Sequence, residues 1–564
     1  MSFTHSNPIL TQHFDTSETA FAKIDKEIAG LREGIRALYA FRNTFTPVYR
    51  LPPEIFTYIF SYVQDVPGQA LCHRNRSCDW LVVASVSQHW RNTALRSPTL
   101  WVNIRGDYSK HIVELWLQRS KAAPLSIGFI HNIEHGEFFW TSLFRIRELK
   151  LSINPSAWNY FWSKLSSPAP LLESLSLFVS GTSQPHLTIS PSAFAGTTPR
   201  LRRLELTGCT LDPDSPICKD LTTLELSCYG PIPRIGGTEL LTLLQKLPRL
   251  TSLNLFLVLR DDATLASSDF HVVSLPYLAS LSILGSSSIQ DFDLISHLSF
   301  PATTALQLST DTRSEDPIAT LSDFLGVYNS ARRPEPADSS PNILRSADLQ
   351  CGSHDLKLLI RTRIEGSELE SVTNLLEFKL LGPGQWTSPL EISYNPGTVT
   401  LLSALHLSTL TSFTTNCDID VETWTNVFGT LRKLKHISVC EVYSFSVLSA
   451  IMYDFQRYMI HIEKSNKIPS RPPSENPSAS TLYDWTPIFP QVEHIEVEET
   501  DFPDNILHLM DALRARKIAG KGIKKLGITT CGNVNRAKLV NLEDSVDDIV
   551  WDGWMDKQAE MDDR

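Results

Sequence analysis

The sequence has few cysteines, no long apolar run and no excess of basic side chains. Its nine cysteines are scattered from Cys72 to Cys531, and neither the odd number nor the spacing fits a disulfide framework. We therefore expect a reducing compartment, either cytoplasmic or nuclear. No stretch of about 18 uncharged apolar residues is present, and the N-terminal residues lack a basic region followed by an apolar core. The sequence thus predicts neither a secretory signal peptide nor a transmembrane helix.

Acidic side chains outnumber basic ones by 62 to 51, so the formal charge at pH 7 is −11. A chain with this balance has no global cationic field to hold phosphate backbones or an anionic bilayer surface. We therefore expect neither nucleic acid nor a membrane as a partner. Hydrophobic residues make up 42% and aromatic residues 9% of the chain, which is typical of a folded protein rather than a disordered one.

No enzyme motif stands in a context that supports catalysis. The chain has no Gly-x-Ser-x-Gly elbow, no P-loop and no dinucleotide-binding glycine pattern. Residues 131–135 have the His-x-x-Glu-His order of inverted zinc peptidases, but they follow a strand-like segment and precede a glycine, where a turn is expected. Cys72, His73 and Cys78 form half of a zinc-ligand set with no second pair nearby. We expect no catalytic residue, no metal and no cofactor, and a metallopeptidase is the least favoured hypothesis.

Apolar side chains at steps of three and four residues predict an amphipathic helix near the N-terminus. They are Phe21, Ile24, Ile28, Leu31, Ile35 and Leu38. The stripe lasts less than three heptads and contains Gly30 and Gly34, each of which costs a helix about 1 kcal/mol relative to alanine. It is therefore a poor dimer zipper when taken alone. Packing against its own chain and association with another helix both stay open.

Residues 51–101 predict a small all-α unit. Two prolines and Glu54 open its first apolar segment, as at a helix N-terminus, where proline forfeits no hydrogen bond and the macrodipole favours a carboxylate. A polar stretch follows, and apolar residues then return at helical spacing at Val82, Val83, Val86, Trp90 and Ala94. About 50 residues bury too little surface to be stable alone, so this unit should dock on its neighbours or on a partner.

The ordered residues of this unit resemble an F-box. They open with Leu-Pro-Pro-Glu-Ile at 51–55, continue with Ile59-Phe60, Val86 and Trp90-Arg91, and end with Pro-Thr-Leu-Trp at 98–101. The opening and the short helix before it are similar to the expanded F-box families of mushroom-type fungi. The loop between Tyr62 and Trp80 is longer and more polar than in the general pattern.

The resemblance implies an F-box-like domain at 49–104 that docks on the Skp-type adaptor of a cullin-RING ubiquitin ligase and reaches a cullin through it. The residues expected to form the adaptor surface or its immediate support are Leu51, Pro52, Ile55, Ile59, Val86, Trp90, Leu100 and Trp101. The sequence does not divide residues that contact the adaptor from residues that fill the domain's own core.

The rest of the chain repeats the leucine-rich-repeat pattern aliphatic-x-x-aliphatic-x-aliphatic. Its middle positions are Leu149, Leu175, Leu204, Leu224, Leu253, Leu281, Phe378, Leu405, Ile437, Ile495 and Leu526, with weaker matches at Leu306/Leu308 and Ala347/Leu349. Repeated units at such spacing bury their leucines only by stacking on neighbours. We therefore predict an α/β solenoid, an irregular leucine-rich-repeat horseshoe, that follows the F-box helices.

The predicted organisation has four parts: an N-terminal tail and amphipathic helix at 1–48, the F-box-like domain, the solenoid at 105–535 and an acidic tail at 536–564. Two segments rich in proline and serine, near residues 331–342 and 465–480, are predicted to loop out of the solenoid. The second segment alternatively separates two subdomains.

Strand residues between the buried leucines should point to the opposite face, which is the concave face of a leucine-rich repeat. Mixed charge with a few aromatic side chains suits a protein partner. The residues expected to bind a target protein are Arg203, Glu205, Glu225, Asn254, Phe256, Lys379, His494 and Glu496. Taken singly, most of them also fit an ordinary solvated sheet face.

Two functional hypotheses follow. In the first, the chain is the substrate-recognition subunit of an SCF-type ligase, is not itself an enzyme, and holds an unidentified target protein in the ubiquitin conjugation pathway. In the second, it is a protein-binding scaffold whose F-box-like helices only cap the solenoid, as terminal units must. Exposure discriminates between them, because an adaptor-binding F-box leaves an apolar helical patch uncovered whereas a cap turns the same residues inward.

Overall fold

The structure is a computed structural model. It describes residues 17–65, 79–106, 108–130, 139–179, 187–212, 214–228, 234–259, 271–311, 317–333, 343–351, 355–364, 373–381, 391–392, 410–440, 446–465, 485–500, 502 and 506–554.

Helices are concentrated at the N-terminus and then alternate with strands. The α-helices of the described residues are α1 (Ser17–Asn43), α2 (Pro53–Asp65), α3 (Val83–Val86), α4 (Gln88–Arg96), α5 (Lys110–Arg119), α6 (Trp158–Lys164), α7 (Gly237–Gln245), α8 (Ser288–Ser296), α9 (Pro317–Ala331), α10 (Val421–Asn426), α11 (Ser446–Ser465), α12 (Ile506–Ile518) and α13 (Arg536–Leu542). Of the described helices, none is long and apolar enough to span a bilayer.

The strands are short and recur along the remainder of the chain. They are β1 (Asn103–Arg105), β2 (Leu125–Ile130), β3 (Ile146–Ile153), β4 (Ser174–Val179), β5 (Arg203–Thr207), β6 (Thr223–Ser227), β7 (Ser252–Phe256), β8 (Val273–Ser274), β9 (Ser280–Ser287), β10 (Leu298–Pro301), β11 (Ala305–Asp311), β12 (Arg332–Arg333), β13 (Ile343–Cys351), β14 (Asp355–Ile364), β15 (Thr373–Leu381), β16 (Glu391–Ile392), β17 (Leu410–Thr415), β18 (Asp418–Ile419), β19 (His436–Cys440), β20 (His494–Glu498), β21 (Lys525–Thr529) and β22 (Asp548–Trp551).

The chain forms two compact units. Unit 1 comprises the described residues of Met1–Ile153, Asn159–Leu175 and Thr197–Pro199, and unit 2 comprises those of Asn154–Trp158, Ser176–Gly196 and Arg200–Arg564.

Unit 1 starts with α1 to α4 and continues into the parallel strands β1, β2 and β3. α5 connects β1 to β2, and its C-terminal end is held by Arg145, whose guanidinium donates hydrogen bonds to the Ser120 hydroxyl at 3.1 Å and the Leu117 carbonyl at 3.3 Å. Burial lowers the pKa of Arg145. These acceptors at the negative end of the helix offset the loss of hydration, so the cation stays stable in the interior.

Most of β4 belongs to unit 2, and after it five parallel strands pair in chain order, β5, β6, β7, β9 and β11. Successive leucines of the repeat are register partners, and one buried row consists of Leu204, Leu224, Leu253, Leu281 and Leu306. α7 connects β6 to β7 and buries four leucines. The two-residue period of a strand puts each leucine on the covered face, which explains why the repeat pattern produces a continuous core.

An antiparallel meander interrupts this progression. β15 pairs with β11, β14 runs antiparallel to both β15 and β13, and β13 pairs with β17. The chain therefore passes from β11 to β13 before it returns to the edge of β11. Leu376 pairs with Leu306 and Phe378 with Leu308, so Phe378, the predicted middle position of β15, lies two residues beyond the register partner of Leu306 and is fully buried.

Beyond the meander, β17, β19, β20, β21 and β22 again pair in parallel in chain order. α13 and β22 lie in residues 536–551, within the segment for which an acidic tail is predicted. The coarse prediction of the fold class is confirmed: a helical N-terminal region precedes a large, mostly parallel sheet with helices, an α/β arrangement.

Candidate functional site

Helix α2 packs against the rest of unit 1 through one face. Phe56 and Phe60 are fully buried, and each ring centroid lies 5.3 Å from that of Trp90 on α4. Gln64 strengthens the packing, since its amide donates a 2.8 Å hydrogen bond to the Leu100 carbonyl. The packing of Phe56 and Phe60 against Trp90 and the hydrogen bond of Gln64 therefore fix the rotation of α2 about its axis.

The opposite face of α2 is apolar and exposed. Ile55, Tyr58, Ile59 and Tyr62 follow the i, i+3, i+4, i+7 spacing of one helical face, and between 40% and 60% of each is accessible. The two tyrosine hydroxyls are 2.8 Å apart, and this hydrogen bond raises the pKa of the Tyr62 phenol. None of the four residues is Asp, Glu, Lys, Arg or His, and a contiguous exposed apolar face of this kind marks an interaction surface.

Val82 and Val86 extend the exposed apolar surface onto a neighbouring element. They lie one helical turn apart, at 61% and 57% accessibility, while Val83 between them is buried. The short helical turn Asp79–Val82 packs against α2. We call the set Ile55, Tyr58, Ile59, Tyr62, Val82 and Val86 the apolar docking face.

Leu100 and Trp101 lie in the core beneath these helices and are only 1% exposed. The Trp101 indole donates a 2.8 Å hydrogen bond to the Ala94 carbonyl, and its ring lies 5.1 Å from that of Trp80 and 5.3 Å from that of Trp116. These contacts assign both residues to internal support rather than to a binding surface.

The eight residues predicted for the adaptor site therefore divide into three groups. The structure exposes Pro52, Ile55, Ile59 and Val86, leaves Leu51 and Trp90 half-buried, and buries Leu100 and Trp101. The adaptor-binding residues predicted from the sequence did not include Tyr58, Tyr62 or Val82. The helical spacing from Ile55 to Tyr58 and Tyr62 was the signal that could have found the two tyrosines.

A polar cleft of about 560 Å³ adjoins the start of α2. It is lined by Pro53, Glu54, Thr57, His89, Asn92, Thr93, Arg96, Ser97, Pro98 and Thr99. The hydroxyls of two lining residues, Thr57 and Ser97, are 2.7 Å apart. An apolar centre beside a hydrogen-bonding margin is the usual composition of a protein interface.

The residues predicted to bind a target lie on the outward face of unit 2 strands. Arg203 and His494 are exposed, and Glu205, Glu225, Asn254, Phe256, Lys379 and Glu496 are half-buried. Strand register brings Glu205, Glu225 and Asn254 into one row across β5, β6 and β7. These three side chains are therefore neighbours although up to 49 residues separate them in the chain.

Glu205 and Glu225 are direct register partners with like charge. Within the described part of the chain, neither carboxylate has a hydrogen bond or an ion pair. Like charges opposite each other on adjacent strands destabilise a sheet. We therefore expect the two carboxylates to repel each other, and a cationic group of a partner would relieve that repulsion.

Lys379 differs, because its charge is compensated inside the sheet. Its ammonium lies 3.1 Å from a carboxylate oxygen of Asp355 on β14, and Lys357 lies 3.5 Å from Glu377. The antiparallel meander thus forms two cross-strand ion pairs that the repeat pattern did not predict.

His494 and Glu496 belong to a second cluster, on β19 and β20. His436 Nε2 lies 3.4 Å from a carboxylate oxygen of Glu496, and the His436 and His494 rings are nearly perpendicular with centroids 5.9 Å apart. His436 and His494 are register partners, which explains why they meet. His436 is an additional candidate contact residue that the sequence did not single out.

No group of three or more His, Cys, Asp or Glu side chains in the described ranges is arranged to hold a metal ion. The His-x-x-Glu-His segment, the Cys72, His73 and Cys78 set and the repeat match at Leu405 lie outside the described residues. Comparison of the sequence with family models finds no match, and comparison with curated proteins finds none either.

Proposed function

We propose that this protein is the substrate-recognition subunit of an SCF-type cullin-RING ubiquitin ligase. In this proposal the F-box-like helices of unit 1 dock on a Skp-type adaptor, which links the chain to a cullin. The parallel strands of unit 2, as an irregular leucine-rich-repeat solenoid, bind the target protein. The observation that carries the proposal is the apolar docking face.

Exposure of that face favours adaptor binding over the scaffold alternative. If these helices only capped the end of a solenoid, Ile55, Ile59 and Val86 should point inward, because burial of each side chain stabilises the folded protein by about 1.5–3 kcal/mol. Here the three side chains are exposed, while Phe56 and Phe60 supply the internal packing. A helix that already has its own core has no structural need for a second apolar face, so a partner is the simplest reason for it.

The proposed role involves no bond chemistry by the chain itself. A receptor that holds a target with one unit and the ligase with another makes ubiquitin transfer effectively intramolecular. The two binding surfaces must then be chemically different. The docking face in unit 1 is apolar and neutral, whereas the outward strand face in unit 2 carries Glu205, Glu225, His494 and Glu496.

The decisive test is co-purification of the full chain with a Skp-type adaptor. We expect a stable 1:1 complex with the wild type and at least about 100-fold weaker binding by the double variant Ile55→Asp/Val86→Asp, because two carboxylates would lose their hydration in an apolar interface. Both positions are exposed in the free chain, so the variant should keep the wild-type thermal midpoint.

The matched control places the same two changes on another exposed apolar pair, Leu507→Asp/Val540→Asp in unit 2. This control should bind the adaptor as the wild type does. Absence of binding by well-folded wild-type protein would overturn the proposal and leave the scaffold function.

A further inference from the structure

Helix α1 is 27 residues long, and none of its residues is buried. Its six apolar stripe residues, Phe21, Ile24, Ile28, Leu31, Ile35 and Leu38, are between 36% and 71% accessible. A helix of this length is about 40 Å long at 1.5 Å per residue. Such a helix gains most of its stability by packing an apolar face, and no other described helix or strand buries a residue of this one.

The stripe follows a heptad in which a and d positions alternate. Phe21, Ile28 and Ile35 occupy a, and Ile24, Leu31 and Leu38 occupy d. The last two heptads thus have isoleucine at a and leucine at d. This choice favours two parallel strands over three or four, because β-branched a residues and leucine d residues fit the two distinct packing layers of a parallel dimer.

The charges beside the stripe complement each other between two copies. Glu27 occupies a g position and Arg32 the e position five residues later, which are the positions that meet across a parallel coiled coil. Two-fold symmetry forms this ion pair twice. Gly30 and Gly34 occupy c and g and have open space around them, so they weaken the helix but leave the a and d layers intact.

We propose that α1 binds α1 of a second copy of this chain in a parallel two-stranded coiled coil. The proposal does not depend on adaptor binding, because it rests on residues outside the F-box-like helices. A parallel pair brings both chains out at the same end, so the two copies of the helices α2 to α4 follow from the same end of the coiled coil.

The test is the mass of the full chain in solution, measured by sedimentation and light scattering over a concentration series. The wild type should reach twice the chain mass of 63.4 kDa at about 100 µM. Leu31→Glu should raise the dissociation constant at least about tenfold, because it places a carboxylate in both halves of one d layer. The matched control Ala29→Glu, at an outward b position, should dimerise as the wild type does. A monomeric wild type, or a dimer indifferent to Leu31→Glu, would overturn the proposal.

Orientation is tested by crosslinking. Leu31→Cys should form an intermolecular disulfide under mild oxidation, because equal d positions face each other only in the parallel arrangement, and the wild type reports any crosslinking by the native cysteines. Glu27→Arg alone should weaken the dimer, and Glu27→Arg/Arg32→Glu should restore it. A dimer that fails to crosslink through residue 31 and ignores the charge swap would contradict a parallel pair.

Discussion

At the residue scale, adjacent apolar residues of α2 have opposite roles. Phe56 and Phe60 fill the core against Trp90, while their neighbours Ile55 and Ile59 remain accessible. Successive residues of a helix point about 100° apart, so a step of one residue moves a side chain from the core to the surface. Stability and docking can therefore be altered separately in the same element.

We predict that Leu100→Ala lowers the free energy of unfolding by about 2–5 kcal/mol, because it removes buried methyl groups and leaves a cavity. Ile59→Ala should change it by less than about 0.5 kcal/mol, since that side chain is accessible. Thermal unfolding followed by tryptophan fluorescence measures both. Equal losses of stability would contradict the separation of core and docking face.

The cysteines give a second residue-scale prediction. Burial raises the pKa of Cys218 to about 12 and also raises the pKa of Cys209, Cys228 and Cys531 above the ordinary thiol value. Since the thiolate is the reactive form, iodoacetamide should leave these four unmodified in folded protein at about pH 8 and modify them in urea. Peptide mass spectrometry provides the readout, and rapid labelling of Cys209 in the native state would contradict this prediction.

At the element scale, a single glycine sets the bulge between β9 and β11. Leu284 pairs with Ser309 and Ser286 with Thr310, so Gly285 is left without a partner, with φ at +79°. A Cβ at this residue would lie 2.7 Å from Leu257 Cδ2.

We predict that Gly285→Ala destabilises the protein by about 1–3 kcal/mol through backbone strain and overlap with Leu257. Gly326→Ala is the matched control, because Gly326 lies in α9 with open space around it and alanine there should stabilise by up to about 1 kcal/mol. Urea denaturation of both variants tests the prediction, and a neutral Gly285→Ala would contradict the strained bulge.

The Glu205 and Glu225 row supplies a second prediction for elements. Glu225→Gln should raise the free energy of unfolding by about 0.2–1 kcal/mol, because it removes a like-charge pair between adjacent strands. The gain should shrink in high salt, where the repulsion is screened. Denaturation at low and high ionic strength measures it, and a loss of stability would indicate that Glu225 has a compensating contact.

The repeat pattern predicts the positions of the strands well, but it predicts less well which strands pair with each other. Strands β5, β6, β7, β9, β19, β20 and β21 lie where the leucine spacing predicts strands, because burial on one sheet face requires that period. β14 was missed, and the pairing of β15 with β11 was not expected. Which edges meet depends on contacts between distant segments, and these leave no period in the sequence.

The docking face was only partly predictable for a related reason. Helical spacing defines two apolar faces on α2, one at Ile55 and Ile59 and one at Phe56 and Phe60. The sequence does not say which face meets Trp90. Only the packing of α2 on α4 decides that the phenylalanines turn inward.

At the whole-molecule scale, the proposed binding surfaces lie in separate parts of the chain. Unit 1 contains an apolar docking face and the exposed helix α1, and unit 2 contains an outward strand face of mixed charge. Together, the two proposals imply an assembly with two adaptor sites and two target sites, in which weak individual contacts gain avidity.

A calorimetric titration of the purified full chain with a Skp-type adaptor measures most directly whether the apolar docking face binds the adaptor. We predict saturable binding with one adaptor per chain, and at least about 100-fold weaker binding by the folded Ile55→Asp/Val86→Asp variant. Absence of binding by folded wild-type chain, or equal binding by that variant, would contradict the assignment of the apolar docking face to the adaptor.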